Sequence, residues 1–244
     1  MSSNSELTIV LPVYNEAEGI EDTVKEIYDE IVLATPGTIL KVCEDGSTDG
    51  TKDILVSLRS KLPRLAVSLC AERKGYVRAA KEALMSVDLS SHYVLILDSD
   101  GQYDPRDFHR LWHVMRRQKA DIVQALRRNR AEPFYRVLLS RGLREIGRLM
   151  FGLQCHDLTS GFRLMTSRAA RTIASQVRYS KSSFWLEFGP RAEAHGYRII
   201  EVPTAYRKRK GSSKVYSPLK MPKIVLEEGW ALVRTWIELH TTAR

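Results

Sequence analysis

An apolar run, a short polar stretch and a segment with apolar residues every three or four positions follow one another repeatedly in the first half of the chain. "LTIVLPV" leads through "YNEAEG" to "IEDTVKEIYDEIV", and "TILKVCED" through "GSTDGT" to "KDILVSLRSKL". "LAVSLCAE" and "HYVLILDSD" lead in the same way to "YVRAAKEALMSV" and "RDFHRLWHVMRRQ", and "ADIVQALR" supplies a further strand. Parallel strands cannot be joined by a tight hairpin and need a crossover, usually a helix. The alternation therefore predicts an α/β fold, a doubly wound, mainly parallel central sheet with flanking helices. A chain of 244 residues, 43% hydrophobic, suffices for one full-sized core.

Ligands of such sheets sit outside the carboxyl ends of the strands. The loops expected there are "PVYNEAEG", "CEDGSTDGT", "ERKG" and "DSDGQYDP", and three of them carry carboxylates beyond the strand end. Residues i and i+2 of a strand face the same way, so Asp98 and Asp100 aim at one point. Two readings are open: Asp, Ser and Gly gathered by a turn, or a pair that holds a divalent cation. Neither GxxxxGK[ST] nor GxGxxG occurs, which disfavours a P-loop or a dinucleotide fold. A diphosphate bridged by Mg²⁺ or Mn²⁺ is the remaining way for an acidic crevice to hold a nucleotide, and this favours the cation.

The net charge of +9 favours an anionic partner, whether nucleic acid, a phosphorylated substrate or an acidic membrane surface. Arginines crowd between Arg127 and Arg148, and "YRKRKGSSK" at 206–214 forms a second basic patch. A solvated helix face also explains such runs. They are not interleaved with stacking aromatic residues, which argues against single-stranded nucleic acid. Cys43, Cys70 and Cys155 are widely spaced with no CxxC pair, indicating neither a disulfide framework nor a zinc site and suiting a reducing cytoplasm. No signal-peptide pattern and no run of eighteen apolar residues is present, so neither secretion nor a spanning helix is expected.

"VLPVYNEAEGI", "EDGSTDGT", "RKGYVRAA", "LDSDGQYDP", "DLTSGFRLM" and "GYRIIEVPTAYRKRKGSSK" stand in the order and spacing of family-2 glycosyltransferases of the Rossmann-like GT-A fold. Over about residues 6–216 the chain most closely resembles the dolichol-phosphate mannose synthase group, which moves a sugar from a nucleotide onto a polyprenyl phosphate. The resemblance implies that Pro12, Tyr14, Glu16 and Asp45 hold the nucleoside, and that Asp98, Asp100 and Gln102 form a metal-binding DxDxQ. Glu44 replaces the first Asp of the usual "DDGS", which directs the assignment to Asp45. The implied reaction is metal-dependent, inverting transfer of a hexosyl group to a polyprenyl (dolichyl) phosphate, with mannose from GDP-mannose as the nearest match. UDP-glucose, UDP-N-acetylglucosamine and a glycan-directed soluble enzyme are the alternatives.

For the acceptor, the resemblance implies phosphate contacts from Arg136 and Ser140, one helical turn apart, from Arg127 at the strand end, and from Arg209 and Lys214 of a mobile basic loop. "ALR" replaces the usual "GSR", which leaves the register of Arg127 against Arg128 open. Catalysis is expected to involve Asp100, Arg127, Arg136, Ser140 and Arg209. A phosphate monoester is largely dianionic at neutral pH, with a second pKa of about 6, and attacks without a general base. A hydroxyl acceptor needs one, and the base signature of glycan-directed members is missing, with only Glu187 and Glu193 in "FWLEFGPRAE".

"EPFYRVLLSRGLREIGRLMFGL" interleaves apolar residues with arginines, as an interfacial helix does, although packing against the domain has the same pattern. The catalytic domain is expected over 1–216, with an acceptor helix near 133–150 and an acceptor loop near 206–214. Residues 217–244 form a C-terminal amphipathic helical segment. Its Leu226, Trp230, Val233 and Ile237 stripe suits a membrane surface, packing on the domain or a dimer contact alike. The expected setting is the cytoplasmic face of a membrane, peripherally bound. Arg163 of "SGFRLM" is expected either to shape the acceptor floor or to form a structural ion pair.

Overall fold

The computed structural model describes residues 6–88, 90–128, 134–209 and 221–241, and for 134–141 and 221 the backbone alone. Its seven strands are β1 (Leu7–Val13), β2 (Ile39–Glu44), β3 (Leu65–Leu69), β4 (Tyr93–Ile96), β5 (Ile122–Arg128), β6 (Arg163–Thr166) and β7 (Ile199–Ala205). They form one sheet in the order β3-β2-β1-β4-β6-β5-β7. Every described pairing is parallel except those of β6, which runs antiparallel to both β4 and β5. The helices are α1 (Ile20–Ile27), α2 (Thr51–Lys61), α3 (Tyr76–Met85), α4 (Phe108–Gln118), α5 (Phe134–Phe151), α6 (Ser167–Gln176), α7 (Phe184–Ala194) and α8 (Met221–Thr241).

Central strands covered by helices on both faces must be apolar on both, which is why β1 reads as a continuous run with all seven residues buried. Side chains of β1 still alternate between two cores. Ile9 and Leu11 pack with Ile20 and Val24 of α1 and Leu111 of α4, whereas Val10 packs with Ala80 and Leu84 of α3 and Trp185 and Phe188 of α7. α1 continues into a π-helical segment, Tyr28–Val32, which keeps Tyr28, Ile31 and Val32 buried past the end of the regular helix.

β6 was not separable in the sequence from the loop before it. It is four residues long, begins with an arginine and shows no alternation. Because it runs against its neighbours, its first residue lies at the edge where β4 and β5 end. The segment that precedes it, Asp157–Phe162, therefore reaches the same crevice as the loops after β1, β2 and β4.

α8 packs against α7 and α5 through Glu228, Ala231, Leu232 and Thr235, all buried. Glu228 accepts the amides of Lys181, Ser182 and Ser183 at 2.9, 2.6 and 3.4 Å, at the start of α7. The Leu226, Trp230 and Ile237 stripe thus faces outward, 74%, 59% and 47% exposed, so the apolar stripe is not the face that packs.

Candidate active site

Three loops at the carboxyl edge are tied to one another by hydrogen bonds from backbone amides to side-chain oxygens. After β1, the Asn15 amide donates to Ser47 Oγ (2.9 Å) and the Glu16 amide to Thr51 Oγ1 (3.0 Å). In return the Thr48 amide donates to Asn15 Oδ1 at 2.8 Å. Asn15 adopts φ +52°, a left-handed conformation that Asn tolerates better than most residues. Asp45, 4% exposed, accepts the amides of Lys74 (2.7 Å) and Gly75 (2.9 Å) and so fixes the third loop. Glu44 accepts the Ser47 and Cys70 amides from its buried position. Both carboxylates of "CED" therefore serve the loop geometry. Pro12 is buried in β1, and the Arg73 guanidinium lies 4.1 Å over the Tyr14 ring, a cation–π contact.

β4 ends at Ile96, so Asp98 and Asp100 lie just past it, in the loop and not in the pleat that the sequence suggested. The Asp98 carboxylate lies against Gly161, where an added Cβ would stand 2.2 Å from Oδ2, and its Oδ1 accepts the Tyr76 hydroxyl at 2.9 Å. Asp100 Oδ1 accepts the Gln102 amide at 3.1 Å, and its Oδ2 accepts Arg209 at 3.1 Å. Burial pushes both aspartates above the ordinary carboxylate range, and at Asp98 repulsion from Asp100 adds to it. Arg209 also binds Glu16. Even so, burial outweighs the guanidinium and pushes Glu16 up to about 7.

The end of β7 closes one side. The Arg207 amide donates to the Gln102 carbonyl (2.7 Å), Tyr206 Oη to Gln102 Oε1 (3.0 Å), and Gln102 Nε2 to the Arg207 carbonyl (3.3 Å). Gln102 thus joins the DxD loop to the basic segment. Arg207 itself pairs with Glu26 and Asp104 at 2.7 and 2.6 Å.

Arg127, 6% exposed, forms a two-pronged ion pair with Asp157 through Nε and Nη2, both at 2.7 Å, and Nη2 also donates to Thr159. Nη1 lies outside these bonds. Arg128 is exposed, so Arg127 is the arginine that points into the edge. Arg163 meets neither expectation: fully buried, it donates to the Ser160 and Leu158 carbonyls at 2.9 Å and stacks 4.4 Å from the Trp185 ring, holding the turn before β6. Glu187 accepts the amides of Arg178, Tyr179 and Ser180 and the Arg191 guanidinium, and is committed to structure. Arg136 and Ser140 belong to α5, but their side chains, like Lys214, lie outside the described residues. The residues missed by sequence reasoning are Tyr76, Asp157 and Gly161. All three fall inside quoted motifs, yet only the fold brings Tyr76 and Gly161 to Asp98 and Asp157 to Arg127. A cavity of about 520 Å³ between α4 and β7, lined by His109, His113, Ile200 and Pro203, holds none of the site carboxylates.

The family model for glycosyl transferase family 2 matches residues 8–174. The chain belongs to glycosyl transferase family 2. Undecaprenyl-phosphate mannosyltransferase of Micrococcus luteus is 29% identical over 236 residues, covering 93% of this chain and 94% of its own length. Polyprenol monophosphomannose synthase of Mycolicibacterium smegmatis is 27% identical over 216 residues, 85% of this chain and 80% of its own. Among solved structures, glucosyl-3-phosphoglycerate synthase of Mycobacterium tuberculosis, with Mn²⁺, UDP and phosphoglyceric acid, superposes with a TM-score of 0.70 at 17% identity, covering 94% of this chain and 78% of the other. Mannosyltransferase PcManGT of Pyrobaculum calidifontis, with GDP-Man and Mn²⁺, gives 0.62 at 20% identity, over 98% and 74%. These structures share the fold of this glycosyltransferase.

Proposed function

We propose that this transferase moves a hexosyl group, with mannose first among the candidates, from a nucleotide sugar to a polyprenyl phosphate, with inversion, using a divalent cation at Asp98 and Asp100. The observation that carries the reading is the aspartate pair itself: two partly buried carboxylates side by side, both raised, with Arg209 as the guanidinium on Asp100. Mg²⁺ and Mn²⁺ fit such a donor set, since they take one or two carboxylates and complete their coordination with substrate phosphates and water. Among the described residues no three His, Cys, Asp or Glu side chains cluster as a ligand set. A bound cation supplies charge stabilisation to the leaving diphosphate.

The protein's own groups do the rest. Tyr14, covered by Arg73, is the proposed nucleoside platform, with Pro12, Glu16 and Asp45 as the further proposed nucleoside residues. Arg136, Ser140, Arg209, Lys214 and Arg127 through Nη1 are the proposed phosphate ligands of the acceptor, and orientation by guanidinium groups replaces a base. Arg136→Ala is expected to raise the acceptor KM while donor affinity stays within about twofold, because the lost charge-assisted bond touches only the acceptor. One observation favours a hydroxyl acceptor instead: Glu16, at about 7, sits in the range of a general base.

Purified protein given GDP-mannose, UDP-glucose and UDP-N-acetylglucosamine with a short-chain prenyl phosphate or with free glycans decides between them. A sugar phosphoprenol is expected; transfer only to glycan hydroxyls, abolished by Glu16→Gln, overturns the reading.

Arg209 lies where it competes with the cation for Asp100 and Glu16. Arg209→Ala is therefore expected to tighten Mn²⁺ binding by the nucleotide-free protein several-fold, while transfer falls. A titration monitored by the resonance of free Mn²⁺ measures this, and unchanged affinity rejects the competition.

The proposed lipid acceptor implies a membrane surface, and the setting we propose is peripheral, at the cytoplasmic face. No described helix is long and apolar enough to cross a membrane. Leu226, Trp230 and Ile237 of α8 and Leu149 and Ile146 of α5 are instead exposed apolar residues, and the same two helices expose Lys223, Arg234 and Arg148; we propose that they form one face. Such a face suits the headgroup region of an anionic bilayer. Trp230→Glu is expected to reduce co-sedimentation with phosphatidylglycerol vesicles at least about fivefold, since one exposed aromatic contributes of order 1.5 kcal/mol on burial. Wild-type sedimentation rejects this face.

A further inference from the structure

We propose that Tyr76 is a positioning residue for Asp98, itself oriented by Trp185. The inference rests on the reading of Asp98 as a cation ligand and concerns what fixes that carboxylate. The Trp185 indole donates Nε1–H to Tyr76 Oη at 2.9 Å, and Tyr76 Oη donates to Asp98 Oδ1 at 2.9 Å. An indole N–H is only a donor, so Tyr76 must accept there. Its single proton is then directed to the aspartate.

The relay is anchored at both ends. Tyr76 opens α3 directly after Gly75, whose φ of +92° belongs to glycine and whose amide is held by Asp45. Trp185, 2% exposed, is fixed by Phe184 and Phe188 and by the Arg163 guanidinium stacked on its ring at 4.4 Å. On its other side the Asp98 carboxylate lies against Gly161. The aspartate is thus enclosed between a hydroxyl and a backbone, with one oxygen committed to Tyr76. A ligand oriented in this way binds its cation without first surrendering rotamer freedom, and groups that orient ligands typically contribute about 10- to 100-fold to metal affinity. The pairing also links the nucleoside side of the crevice, through Asp45 and α3, to the acceptor side, through α7 and the turn before β6.

Tyr76→Phe removes the hydroxyl and little else. It is expected to weaken Mn²⁺ binding about 10- to 100-fold, measured by the resonance of free Mn²⁺ with saturating GDP or UDP. Nucleotide affinity in chelator and the acceptor KM should stay within about twofold, with the loss confined to Mn²⁺ affinity and kcat. Trp185→Phe leaves the tyrosine proton but not its direction, and a loss of intermediate size is expected. A purely structural tyrosine would lower the melting temperature of both variants and leave their Mn²⁺ affinity at the wild-type value, and that result overturns the inference. Absence of Mn²⁺ uptake by the unaltered chain overturns the reading of Asp98 itself.

Discussion

Asp100→Asn is expected to lower transfer at least about a hundredfold, the usual cost of removing one group that stabilises developing charge. The variant should fold, with a melting temperature equal to or above that of the unaltered protein. Burial raises Asp100 above its ordinary range, so the ionised group costs folding free energy at neutral pH, a cost that disappears as pH falls through the raised value. A neutral amide of the same shape removes that cost, as expected where function is bought with stability. Exhaustive chelation of the unaltered protein should reproduce the loss. Full turnover in either experiment removes Asp100 from the site.

Gly161→Ala is expected to be as damaging, for a different reason. Its backbone is outside the left-handed region, so alanine meets no conformational obstacle there. The added carbon would instead stand 2.2 Å from Asp98 Oδ2 and 2.5 Å from its Cγ, and the carboxylate must move. Overpacking of this kind costs about 1–3 kcal/mol of stability, whereas displacing the carboxylate should cost about 10² or more in rate. Introduced into an Asp98→Ala background, where nothing remains to be displaced, the same substitution should have almost no further effect on the residual rate. A full additional loss in that background places the damage elsewhere.

Legibility in the sequence followed the range of the interactions. β1 and the helices after the first four strands announced themselves because strand and helix periods are local, and Asp98 and Asp100 because they are neighbours in the chain, although both lie past the end of β4, where the pleat no longer sets their direction. The raised carboxylates were not legible because burial, set by the whole fold, raises them, and the Arg209 contacts and the Asp157 partner of Arg127 were not because each joins residues 30 or more apart. Whether α8 packs by its apolar stripe was equally hidden. Its buried face includes Glu228, which composition alone assigns to solvent, and only the amides of residues 181–183 explain its place. Arg163 failed for the same reason: its partners are carbonyls of its own turn, and no spacing rule distinguishes those from a carboxylate or a substrate.

The reversed strand β6 also bears on the order in which the molecule assembles. It pairs with β4 across more than sixty intervening residues, which carry α4, β5 and α5, so the sheet cannot be completed until the later part of the chain is in place. As the chain leaves the ribosome, the first four strands and the two aspartates emerge well before Gly161, Trp185 and Arg209. A half-made chain therefore carries the acidic loops but neither the wall behind Asp98 nor the guanidinium on Asp100. The Gly161 wall and the Arg209 guanidinium are therefore the last parts of the crevice to be added.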